Sequence, residues 1–122
     1  MKKILIIDEK SFSLVCSAIL ELEGHRTEIL EDIESILPRL NNEFGLIITS
    51  YPFSYPFFEE IKKSNLPTII LIDHINKDLI NLLEDLNNSY CLIKPLDYQE
   101  FKSLVKLVAN CETSNKSGYK IL

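Results

Sequence analysis

An α/β domain built on a doubly wound parallel sheet is what this sequence predicts, on three observations. Short apolar runs, Ile4–Ile7, Leu46–Thr49 and Thr68–Ile72, recur along the chain. They show no alternation of polar and apolar residues, so both of their faces are buried, as in strands covered by helices on each side. Between them lie stretches whose apolar residues return at helical spacing, and that alternation is the pattern of repeated βα units. At 122 residues, 46% of them apolar, the chain fits one domain that buries its own core.

The elements follow in order. Ile4–Ile7 is the first strand. Phe12, Val15, Cys16, Ile19, Leu20 and Leu22 trace the apolar face of the first helix, which Gly24 ends. Arg26 to Leu30 is a weaker second strand. Asp32 caps a second helix with Ile33, Ile36, Leu37 and Leu40 facing inward, and Pro38 kinks or shortens it. Leu46–Thr49 is the third strand. Ser50 to Pro56 carries two prolines and reads as a loop before a short helix over residues 57–63. Thr68–Ile72, β-branched and wholly apolar, is the best candidate for a central strand. A helix bearing Leu79, Ile80, Leu82, Leu83 and Leu86 follows, then a strand over residues 90–93 and a turn at Lys94-Pro95. The last helix opens on Asp97 and Glu100 in a capping-box arrangement and turns Phe101, Leu104, Val105 and Val108 inward. Residues 1–110 thus form one domain, and 111–122 read as a polar tail or linker.

Composition excludes several classes. The basic, apolar start at Met1–Ile7 resembles a signal peptide but stops too soon at Asp8-Glu9, and no run approaches the roughly 20 residues needed to span a bilayer. Cys16, Cys91 and Cys111 are odd in number and lack metal-site spacing, which fits a reducing cytoplasm. A net charge of −5 disfavours direct nucleic-acid binding.

In an open parallel sheet, ligands bind beyond the carboxyl ends of the strands. There the chain places Asp8 and Glu9, Ser50, Asp73 and His74, and Lys94. Paired carboxylates suit magnesium, and a lysine suits a phosphoryl oxygen. Two other sites fail on their parts. A Ser50–His74 triad completed by Asp8 or Asp73 has no nucleophile elbow around it, and a flavin-type phosphate loop has no glycines and faces two acidic residues. The aromatic segment holding Phe53, Phe57 and Phe58 reads first as packing for the third helix and second as a protein-binding surface.

Ile4-Leu5-Ile6-Ile7-Asp8-Glu9, the Lys94-Pro95 dipeptide and the spacing of the βα units together resemble a response-regulator receiver domain over residues 1 to about 109. The resemblance implies a flavodoxin-like, five-stranded sheet in the order 2-1-3-4-5 and a cis Lys94-Pro95 bond. It implies a regulatory rather than enzymatic role. It also implies an interaction face on the fourth helix, fifth strand and fifth helix, used for a signalling partner, a downstream domain or a homodimer. Asp8 and Glu9 fill the family's magnesium-binding acidic pair, and Lys94 fills its phosphoryl-contacting lysine. Three family groups are missing. Ser50 stands at the phosphoacceptor aspartate, Ile72 at the switch hydroxyl and Cys91 at the switch aromatic, with Tyr90 one place earlier. The expectation is a degenerate receiver that needs no cofactor and binds magnesium weakly at Asp8 and Glu9, with Lys94 bridged to one of them across the pocket. The alternative keeps phosphate responsiveness through a displaced acceptor such as Asp73.

Overall fold

The computed structural model describes residues 2–86, 88–110 and 119–122, with 119 and 120 described through their backbone alone. Strands β1 (Lys3–Ile7), β2 (Thr27–Ile29), β3 (Phe44–Ser50), β4 (Thr68–Ile72) and β5 (Ser89–Ile93) pair in parallel in the order β2-β1-β3-β4-β5. A further short strand, β6 (Tyr119–Ile121), extends this sheet beyond β5, again in parallel. The tail reading did not anticipate it. Residues 111–118, Cys111 among them, lie outside the described part.

Helix α1 (Lys10–Leu22) ends at Gly24, whose φ of 92° lies in the left-handed region where a side chain is strained. Only part of its expected apolar face turns inward. Cys16 and Leu20 are buried, whereas Val15 and Leu22 are exposed and Ser13 takes an inner position. Around Pro38 the chain forms two short α-turns, Ile33–Ile36 and Leu40–Glu43, joined by a 3-10 turn, together called α2. The ring removes one helical donor, so the helix tightens there instead of running through. Leu37 points outward as a result. A 3-10 turn at Tyr55–Phe57 leads into α3 (Phe58–Ser64). Helix α4 (Lys77–Glu84) begins under an unforeseen cap, in which Asn76 Oδ1 accepts from the Leu79 amide at 2.8 Å. At α5 (Tyr98–Asn110), Asp97 Oδ1 accepts from the Gln99 and Glu100 amides at 2.9 and 3.2 Å. The return bond expected from the Glu100 side chain is not formed, so this is a single cap rather than a box.

Two apolar clusters sandwich the sheet. Alternate residues of each strand feed opposite sides: Leu5, Ile7, Ile47, Ile70, Ile72 and Cys91 go to one, and Ile4, Ile6, Ile48, Ile69, Leu71 and Leu92 to the other. The second is closed by Cys16 and Leu20 of α1 and by Phe101, Leu104, Val105 and Val108 of α5, all as expected for α5. The first is closed by Ile36, Leu40, Phe58, Ile61, Leu79 and Leu83. No described helix is long and apolar enough to cross a membrane.

Candidate functional site

The carboxyl ends of β1, β3, β4 and β5 frame one cavity of about 360 Å³. The register builds it. Ile7 lies beside Thr49, and Ser50 beside Leu71, so the next residue of β1, Asp8, emerges next to Ser50. Thr49 Oγ1 donates to the Ile7 carbonyl at 2.7 Å, and the Tyr51 amide donates to the Leu71 carbonyl at 3.0 Å. These bonds fix the tip of β3 between its neighbours. Lys94 is held likewise, its amide donating to the Ile72 carbonyl at 2.8 Å. The Lys94-Pro95 bond is cis, and so is Tyr51-Pro52.

Asp8, Glu9, Asp73 and Lys94 line the cavity together with Ser50, and Phe12, Tyr51 and Phe53 give it an aromatic rim. Ser50 is buried, and its hydroxyl donates to Asp8 Oδ2. The other Asp8 oxygen accepts from the Glu9 amide at 2.8 Å. Both carboxylate oxygens are therefore oriented by the chain itself. The expected bridge from Lys94 to Asp8 or Glu9 is absent: among the described residues Lys94 makes no ion pair. The β5 backbone anchors Lys94 at the rim, and Asp8 is already engaged by Ser50, so the pocket stays open.

Two of the sequence-predicted positions lie beneath the cavity rather than in it. Ile72 is fully buried in the cluster on the α4 side, and Cys91 is buried beside it. Burial pushes the Cys91 thiol up to about 12. Cys16, on the opposite side of the sheet, is also raised to about 12, by burial first and then by the Asp8 charge. Both thiols are thus protonated and shielded. Tyr90 packs half-buried against the α1–α5 cluster, the other face from Cys91. The Ser50–His74 arrangement is not assembled, since the serine hydroxyl spends its proton on Asp8 and His74 is an exposed residue. In the aromatic segment Phe57 and Phe58 pack inward, while Phe53 and Tyr55 are exposed. Sequence reasoning missed the Ser50–Asp8 bond. Its signal was the parallel register itself, which puts the two strand tips side by side.

Solved structures share this architecture. A two-component response regulator from Clostridium difficile matches with a TM-score of 0.75 at 23% identity, over 93% of this chain and 100% of that one. A CheY-like receiver domain protein from Methanospirillum hungatei matches at 0.69 and 20% identity, over 90% and 94%. The beryllofluoride-activated NtrC4 receiver domain, solved as a dimer, matches at 0.69 and 22% identity, over 88% and 96%. No protein-family model matches the sequence, and no curated protein does. The chain has the fold of response-regulator receiver domains.

Proposed function

We propose that this receiver-fold chain is a pseudo-receiver: a regulatory protein-interaction module of a two-component-type signalling system, outside the ordinary aspartyl phosphorelay. The observation that carries this reading is Ser50 at the tip of β3, buried and donating to Asp8. An aspartate, with an unperturbed pKa of about 3.9, is an ionised nucleophile at neutral pH, whereas a serine hydroxyl needs a base. The group touching this hydroxyl is another carboxylate, far too weak a base to ionise it. Beneath the pocket, Ile72 and Cys91 offer neither a hydroxyl nor an aromatic ring to couple a phosphoryl group to β4 and β5.

Asp8 and Glu9 are the residues that would hold a divalent cation. Magnesium bound by two carboxylates keeps several waters, and the serine in place of a third carboxylate weakens the site. Among the described residues no three metal-ligating side chains gather. The same reading has the module requiring no cofactor, with magnesium bound weakly if at all. Its output surface is the α4–β5–α5 face, where Ile93 and Tyr98 are exposed, and its partner is a signalling protein, a fused domain or a second copy. The net charge of −5 speaks against direct nucleic-acid contact, and the unpaired, buried Cys16 and Cys91 fit a cytoplasmic setting.

Intact-mass measurement after incubation with acetyl phosphate and magnesium tests this. The unaltered chain keeps its mass, and Ser50→Asp gains one phosphoryl group. A phosphoryl adduct on the unaltered chain overturns the reading. One observation favours a second reading: Asp73 shares the cavity with Lys94. If Asp73 is a displaced acceptor, the unaltered chain is labelled and Asp73→Asn is not.

A further inference from the structure

Helix α1 carries its charges the wrong way round. Aligned peptide dipoles leave the amino end of a helix partly positive and its carboxyl end partly negative, so acids belong at the first and bases at the second. α3, α4 and α5 follow this at their openings, with Glu59 and Glu60, Asp78 and Glu100 in their first turns. α1 has no acid in its first turn and no base in its last. It opens on Lys10 and closes on Glu21 and Glu23, and the side chain of Glu9, at its N-cap, makes no capping bond. Glu23 lies 3.9 Å from Lys102 of α5, and Glu21 accepts from Thr27 Oγ1 at 2.9 Å. Among the described residues neither Lys10 nor Glu21 has an ion pair.

The same helix turns apolar residues to solvent. Leu14, Ala18 and Leu22 succeed one another at four-residue steps with Val15 beside them, and Leu14, Val15 and Leu22 are 54%, 48% and 86% exposed. A contiguous apolar stripe of this kind marks a contact surface. It lies opposite the buried Ser13, Cys16 and Leu20. Lys10 and Glu21 are eleven residues apart, three turns to within about 20°, so they flank the stripe on one side, about 16 Å from each other along the axis. We propose that a second copy docks on this stripe through its own α1, with the two helices antiparallel. A two-fold axis brings the same flank of both helices together, so Lys10 of each copy meets Glu21 of the other. Each misplaced charge then stands at the favourable end of the second copy's helix. A parallel pair would instead set lysine on lysine and glutamate on glutamate. Both halves of the complementary pair come from this one helix, which singles out a second copy as the occupant. The surface is separate from the α4–β5–α5 face, since α1 and α4 cover opposite sides of the sheet.

Sedimentation equilibrium of the 122-residue chain at low salt, up to about 100 µM, should show a monomer–dimer equilibrium. Lys10→Glu or Glu21→Lys alone sets like charges together at both contacts and should weaken association at least about tenfold. An equimolar mixture of those two variants restores opposite charges at both contacts and should associate as the unaltered chain does, now as a mixed dimer. That recovery also separates a lost contact from a folding defect. Leu22→Asp puts a charge in the apolar stripe, on a side chain that the fold itself leaves exposed, and should abolish the dimer. An unaltered chain that stays monomeric, a dimer that survives Leu22→Asp, or a mixture that associates no better than either variant alone overturns the proposal.

Discussion

The two ends of the sheet handle charge in opposite ways. At the amino end, Lys3 lies 3.3 Å from Glu28 and 3.7 Å from Glu43, and Arg39 lies 2.6 and 2.8 Å from the same two carboxylates. The guanidinium also sits 5.8 Å from the ring centroid of Phe44. Two cations and two anions there close a ring that ties β1, β2 and α2 together. At the carboxyl end, Asp8, Glu9 and Asp73 face one Lys94 around an open cavity, and no ion pair forms among them. Charges that hold the fold find partners within it. Those at the strand tips form no ion pair among the described residues, and Asp8 takes neutral donors instead, the Ser50 hydroxyl and the Glu9 amide.

Truncating what lies beneath each end should separate them most. Phe44 is fully buried below the ion-pair ring, so Phe44→Ala should cost about 3–5 kcal/mol in denaturant unfolding. Phe53, 39% exposed at the cavity rim, should lose no more than about 0.5 kcal/mol on the same change. Comparable losses would make the cavity rim part of the core.

Ser50→Asp converts the open end into a crowded one. A carboxylate at the buried position 50, beside the partly buried Asp8, should cost roughly 1–3 kcal/mol at neutral pH. Magnesium should restore much of that in thermal melts while leaving the unaltered chain's midpoint where it is. A midpoint of the unaltered chain that climbs with magnesium would mean that Asp8 and Glu9 already hold the ion.

Acid should strike the paired end first. The hydrogen bond from Arg39, together with that from Lys3, holds Glu28 below its ordinary value of 4.5 against a smaller opposing effect of burial. Its depressed folded value means a contribution that is whole above about pH 4.5 and lost as pH falls through the folded value. Stability measured down that range should decline, and Arg39→Ala should flatten the Glu28 part of the decline. An unchanged slope would show that the ring does not act as a unit.

The smallest effect belongs to Lys94→Met. With no ion pair to lose, stability should stay within about 0.5 kcal/mol of the unaltered chain. A larger loss in calorimetry would reveal a bridge across the pocket.

How much of this was readable beforehand follows from the range of each interaction. Ile4–Ile7 and Thr68–Ile72 announced themselves because a strand buried on both faces has no polar positions to spare. Asp8, Glu9, Ser50 and Lys94 could be assigned to one cleft because parallel strands bring their tips to one end. Asn76 was legible as a cap, standing just before the apolar spacing of α4, and was passed over. The ion-pair ring was mostly hidden. Arg39 and Glu43 are one helical turn apart, but Glu28 and Lys3 meet them only after β1, β2 and α2 pack. β6 was hidden as well, since three residues after a polar stretch carry no periodicity and become a strand only against the β5 edge.

By itself the sequence determined the βα alternation, the parallel sheet and the serine at the tip of β3, since each is written in the pattern or identity of neighbouring residues. Tertiary structure decided which helical residues face outward, as with Val15 and Leu22. It also decided that the Ser50 hydroxyl goes to Asp8, that Lys94 makes no ion pair among the described residues, and that β6 pairs with β5. These depend on distances between segments far apart along the chain, which only the folded register sets.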